Sequence, residues 1–142
     1  LYARKCGLHW SNIENGFQKN IDIIYTFAFK NKDSYKWMER LHEIVKCEKV
    51  YLILDEDEST KYWIAECNPV IIDLIINDAI SSVDYYITDK KFNWLITENH
   101  SEVVKFIGKG LDIETIKNVC AEYAEEQIKY IRYKIIGGTC DE

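Results

Sequence analysis

The chain has a single proline in 142 residues, Pro69, and it stands directly after Asn68 at the end of a β-patterned stretch. Proline at the first helical position gives up only an amide that has no intrahelical partner, and an asparagine before it supplies the cap. Proline also biases the residue before it away from helical backbone angles. The strand must therefore end before Asn68, and a helix is predicted over 69–80. Its residues are apolar on nearly every side (Val70, Ile71, Ile72, Leu74, Ile75, Ile76, Ala79, Ile80), which implies burial against more than one neighbour.

The segments flanking this helix read as strands. "KVYLILDE" and "KYWIAE" are rich in β-branched and aromatic residues around the acidic run Asp55, Glu56, Asp57 and Glu58, and predict a hairpin. "DYYIT" and "FNWLIT", joined by Asp89, Lys90 and Lys91, predict a second, and "VVKFIG" a short strand after it. "IDIIYTFAF" alternates Ile23, Tyr25, Phe27 and Phe29 and is read as a strand. Ser11 and Glu14 have capping-box spacing. Asp33 or Ser34 caps a segment in which Trp37, Met38, Leu41, Ile44 and Val45 recur at helical spacing to about Cys47. Asp112 is predicted to cap a long final helix lined by Ile113, Ile116, Cys120, Ala124, Ile128, Ile131 and Ile135 and ended by Gly137. Strands and helices are interspersed without a regular βαβ rhythm. The expected fold is α+β: a single mixed, mostly antiparallel sheet of about five or six strands packed against helices, with a long C-terminal helix. No repeat or Pro/Gly-rich linker divides residues 1–142, so one domain is expected.

Composition narrows the function classes. A 47% hydrophobic chain can build a sizeable core, yet its longest apolar stretch, "VIIDLII", contains Asp73 and is far too short to span a membrane. A soluble protein with no membrane partner is expected. "LYARKCGLHW" lacks the apolar segment and cleavage pattern of a secretory signal, although the sequence starts without Met and export stays open. The five cysteines, Cys6, Cys47, Cys67, Cys120 and Cys140, are odd in number and include no C-x-x-C pair. Reduced thiols in a cytoplasm fit this pattern, and Cys67 and Cys120 are read as buried and inert. The net charge of −6 argues against nucleic acid, whose phosphates need clustered positive charge. A basic protein partner fits, steered by Asp55, Glu56, Asp57 and Glu58, although the simpler reading of that run is a solvated turn between two strands.

The polar residues closing "FNWLITENHSE" are the sharpest candidates for chemistry. On a continuing strand Glu98 and His100 point the same way, as a general base and its orienting group would. A third group is needed, and Glu66, with Asn68 beyond it, is the candidate at another strand end. The simpler reading has Asn99 turning the chain while Glu98 and His100 satisfy backbone groups or face water. His9, His42 and His100 show no ligand spacing, so neither a metal nor any other cofactor is expected. "IGKGLDIE" has two glycines but no full phosphate-binding pattern, and reads as a turn into the Asp112 cap. Trp63, Tyr85, Tyr86 and Trp94 lie on strands, where alternation would expose some of them as partner anchors unless both sheet faces are covered.

With these residues in hand, the chain resembles a family of small bacterial proteins known as a domain of unknown function. The resemblance rests on Glu66 and Asn68, on Tyr85 to Ile87, and on Trp94, Leu95, Glu98, Asn99 and His100, and spans roughly residues 50–110. That pattern often continues with a His and an Asp where this chain has Ser101 and Glu102, which weakens a histidine-pair metal site. The resemblance implies no activity. A fold-level likeness to SUKH-type immunity proteins is weaker still.

The leading reading is therefore a cytoplasmic, non-catalytic protein-binding module, immunity- or antitoxin-like, that neutralises a basic partner such as a toxin domain. Asp55, Glu56, Asp57, Glu58, Trp63, Tyr86, Trp94 and Asn99 are its candidate contacts. A small hydrolase or metal-dependent enzyme using Glu66, Glu98 and His100 is the first alternative, and a homodimeric scaffold without catalysis the second.

Overall fold

The structure is a computed structural model that describes residues 2–4, 23–28, 36–56, 61–78, 83–98, 103–120, 126–133 and 140–141. The Ser11–Glu14 capping box, the Asp33 or Ser34 cap, and Asp57, Glu58, Asn99 and His100 lie outside these residues.

Both predicted hairpins form. β3 (Val50–Glu56) pairs with β4 (Lys61–Cys67), and β5 (Val83–Thr88) with β6 (Trp94–Glu98). β7 (Val103–Gly108) adds to β6, and β3 joins the two hairpins through β5. The sheet is extended by β1 (Tyr2–Arg4), β2 (Ile23–Ala28), β8 (Glu126–Tyr133) and β9 (Cys140–Asp141). The order among described strands is β1-β4-β3-β5-β6-β7-β2-β8-β9, and every pairing is antiparallel. The sheet is thus wider than expected and has no parallel pair among the described residues.

The expected long C-terminal helix is not shown: among the described residues helix covers Ile113–Cys120, and residues 126–133 form a strand that pairs with β2. The apolar positions Ile128, Ile131 and Ile135 fit a helical period, but "EQIKYIRY" is also dense in β-branched and aromatic residues. Available pairing sites on β2, not periodicity, decide such a segment.

Register fixes the two faces of the central sheet. Leu52, Ile87, Ile96 and Phe106 lie directly opposite one another across β3, β5, β6 and β7. On this face pack α1 (Lys36–Glu39), α2 (Leu41–Ile44), α3 (Ile72–Asp78) and α4 (Ile113–Cys120), through Trp37, Met38, Leu41, Ile44, Ile72, Ile116 and Val119. Trp37 meets Phe106 edge to face at 5.5 Å, a geometry that aromatic quadrupoles favour by about 1 kcal/mol. The predicted helix through Cys47 is two single turns broken at Arg40 (φ −103°, ψ 13°) and ended at Val45. The opposite face is buried too, at Tyr86, Thr88, Leu95, Thr97 and Ile107, so β6 is covered on both sides.

Caps behave as the sequence requires. Asn68 Oδ1 accepts the Val70 amide at 3.0 Å and opens a 3-10 turn over Pro69–Ile71 that leads into α3. Asp112 accepts the Thr115 hydroxyl at 2.6 Å and its amide at 3.3 Å at the head of α4, contacts that hold its carboxyl below the usual range.

The β5–β6 connection is a tight turn. The Phe92 amide donates to the Asp89 carbonyl at 3.1 Å, and Phe92 itself has φ 55°. Asp89 grips the turn by accepting the Asn93 amide at 2.6 Å and its Nδ2 at 2.7 Å. The Thr88 hydroxyl donates to the Trp94 carbonyl at 2.7 Å. Gly108 closes the gap beside this turn with φ +126°, where a Cβ would sit 2.4 Å from both the Asn93 carbonyl oxygen and the Trp94 Cα. Gly110, at φ +91°, has open space around it. Gly108→Ala is therefore expected to cost about 3 kcal/mol, from a strained φ plus a backbone clash, and Gly110→Ala only about 1 kcal/mol. Urea unfolding of the two variants would check the order.

Candidate functional site

Strand direction decides the fate of the candidate catalytic set. β4 and β6 run in opposite directions, so their C-terminal ends lie at opposite edges of the sheet. Glu66 is paired with Tyr51 on one face, whereas Glu98 is opposite Tyr85 and Val104 on the face that carries the helices. Three strand spacings, roughly 14 Å, separate them across the sheet as well. Glu66 and Glu98 therefore do not converge, and His100 lies outside the described residues. Among the described residues no group of three or more His, Cys, Asp or Glu is placed to hold a metal.

Glu66 has a local role instead. Glu66 bridges Lys49 at 3.1 Å and Lys90 at 3.0 Å at the sheet surface, tying the segment before β3 to the β5–β6 turn. Its hydrogen bonds to Lys90 first, then Lys49, hold its carboxyl below the ordinary range. Glu98 is buried.

The acidic run and the aromatic anchors are also redistributed. Asp55 is buried within β3, opposite Tyr62 on one side and Asp84 on the other, and is not part of a solvated turn. Burial first, then the Asp55 carboxylate, raise the Tyr62 hydroxyl above its usual range. Glu56 lies in β3 opposite Val83, while Asp57, Glu58 and Asn99 fall outside the described residues. Tyr86 and Trp94 are buried, one on each face, and so are structural residues that cannot serve as surface contacts. Trp63 is 52% exposed.

The surface that sequence reasoning missed is on the helix after Pro69. Ile72 is fully buried and contributes about 2 kcal/mol of apolar burial, while Val70 is 57%, Ile71 42% and Leu74 65% exposed. The helix thus buries one side, not all of them. Val70 and Leu74 are four residues apart and Ile71 and Leu74 three, so the exposed side chains share one side of the helix. Asp78, four residues beyond Leu74, continues that strip with a charge, and Asp73 flanks it. All-round apolarity hid this strip, since nothing in the sequence says which side stays uncovered.

Cys67 and Cys120 are buried, as expected, and Cys47 is half-buried. Burial raises the Cys67 thiol above its ordinary range and the Cys120 thiol well above it, and burial, then the Asp89 charge, raises Cys47. Iodoacetamide at pH near 8 should label Cys47 slowly and Cys120 only after denaturation; peptide mass spectrometry would read both. Glu66 should titrate below a free glutamate, so that its ion pairs are intact above the unfolded-state value and dissolve as pH falls through the lowered one. NMR titration of its carboxyl carbon would show this, and Lys49→Ala with Lys90→Ala should return the midpoint towards the ordinary value.

No curated protein and no solved structure matches the chain. Residues 5–120 match the model of a family of unknown function (DUF6756), in agreement with the resemblance to a domain of unknown function at that level. The match takes in β2 through β7 and the four described helices, including the strip Val70, Ile71 and Leu74. The chain accordingly belongs to the DUF6756 family of unknown function.

Proposed function

We propose that the protein is a binding module that presents the strip Val70, Ile71 and Leu74, with Asp73 and Asp78 beside it, to a basic protein partner such as a toxin domain. The carrying observation is the exposure of three large aliphatic side chains on one side of a capped helix whose other side anchors the core. Apolar groups in water are held there at a cost, and a partner that covers them recovers it. The acidic residues on the strip and the chain's net charge of −6 favour a partner with positive charge around an apolar seat. Trp63, also exposed, is a further contact candidate. An immunity-like role fits this chemistry, and cytoplasmic location would suit the free thiols.

The test is calorimetric titration against the product of the neighbouring gene at low salt. Binding should weaken as salt rises, and Leu74→Asp should lose about 2 kcal/mol or more while leaving thermal unfolding unchanged, because the side chain is exposed. Absence of binding at low salt would count heavily against the proposal. Self-association through the same strip is the competing reading; light scattering showing a dimer that Leu74→Asp dissociates would favour it.

A further inference from the structure

The β5–β6 turn carries an anomaly that the helix strip does not account for. Residues 89–92 form a turn closed by the Phe92 amide on the Asp89 carbonyl, with a left-handed residue at its last position, a hairpin connection that glycine or asparagine ordinarily completes. Here the left-handed position holds phenylalanine, among the least suited residues for φ 55°. The ring gains little burial in return, being 58% exposed. The turn is held firmly all the same, by Asp89 on Asn93, by Thr88 on the Trp94 carbonyl, and by the Lys109 amide on the Asn93 carbonyl at 2.9 Å. A strained bulky residue in a rigid turn, with its ring largely in water, marks a position kept for something other than stability.

Its surroundings indicate what it would meet. The ring stacks on Tyr51 at 6.1 Å with 26° between planes, which leaves an aromatic platform. Tyr51 lies directly opposite Glu66 in the sheet, and Glu66 sits between Lys49 and Lys90. Lys91 is exposed in the turn and Lys109 on the segment hydrogen-bonded to it. Against these four lysines stand the exposed Glu48 and Glu66 and the Asp89 carboxylate held within the turn, so lysines exceed carboxylates here by one. In a chain of net charge −6 this edge is locally basic.

We propose that Phe92 and Tyr51 form a second docking surface, for an acidic protein segment that lays an apolar side chain on the aromatic pair and its carboxylates among Lys49, Lys90 and Lys91. Charge complementarity selects this occupant, because a basic segment would meet the lysines and a purely polar one would leave the platform wet. The surface is separate in residues and in charge from the helix strip.

The probes are short acetylated peptides of alternating glutamate and leucine, with lysine–leucine and glutamate–serine peptides as controls, titrated into the labelled full chain by NMR. Only the glutamate–leucine peptide should shift the amides of Tyr51, Lys90, Lys91, Phe92 and Asn93, and roughly 0.5 M salt should abolish the shifts. Phe92→Gly should weaken binding about tenfold or more while keeping Tm within about 2 °C of the parent or raising it, because glycine relieves the strained φ. Leu74→Asp should leave this binding unchanged. The proposal is overturned if no peptide shifts these amides, if Phe92→Gly still binds, if Leu74→Asp removes binding, or if Phe92→Gly lowers Tm by more than about 5 °C, which would make the ring a structural staple for Tyr51.

Discussion

The structure rests on one row of side chains: Leu52, Ile87, Ile96 and Phe106, set directly opposite one another across four antiparallel strands. Because side chains alternate with period two, that row fixes the facing of every other residue on those strands. It creates the apolar surface on which Trp37, Met38, Leu41 and Ile72 pack. It also sends Glu98 to the helix side and Glu66 to the other. A slip of one residue would turn Tyr86, Thr88 and Thr97 towards the helices in place of Ile87 and Ile96, so the register is strongly specified.

The sequence-level reading succeeded where local chemistry decides the outcome. The two hairpins, the strand over Val103–Gly108, the Asn68 and Asp112 caps and the burial of Trp37, Met38, Leu41 and Ile44 all follow from propensity, spacing and cap chemistry. It failed where the outcome depends on the distance between segments. Residues 126–133 carry both a helical period and β-forming side chains, and pairing with β2, far away in sequence, resolves the conflict. The extent of burial on α3 is similarly a property of its neighbours, not of its own composition.

Candidate sites were the least legible. Period two correctly describes a single strand, but relating Glu66 to Glu98 needs the order and direction of four strands, which no local pattern contains. Asp55 looked like part of a solvated acidic run, yet β3 extends far enough to take it into the sheet beside Tyr62 and Asp84. Phe92 was read as the first residue of a strand, and its left-handed backbone became visible only with the turn in place. In each case residue type was informative and position in space was not.

The placement of β2 bears on how the chain is made. Its two neighbours in the sheet are β7 and β8, and both follow it in sequence; Ile24 pairs with Ile107, roughly eighty residues later, a separation that makes loop closure slow relative to hairpin formation. During synthesis β2 therefore leaves the ribosome as a segment with no partner on either edge, and it stays so until Val103–Gly108 has emerged. An unpaired strand bearing Ile23, Tyr25 and Phe27 is a template for pairing with another nascent chain. The nascent protein is thus most prone to aggregate in the interval between translation of β2 and translation of β7, and slower elongation through that interval would lengthen its exposure.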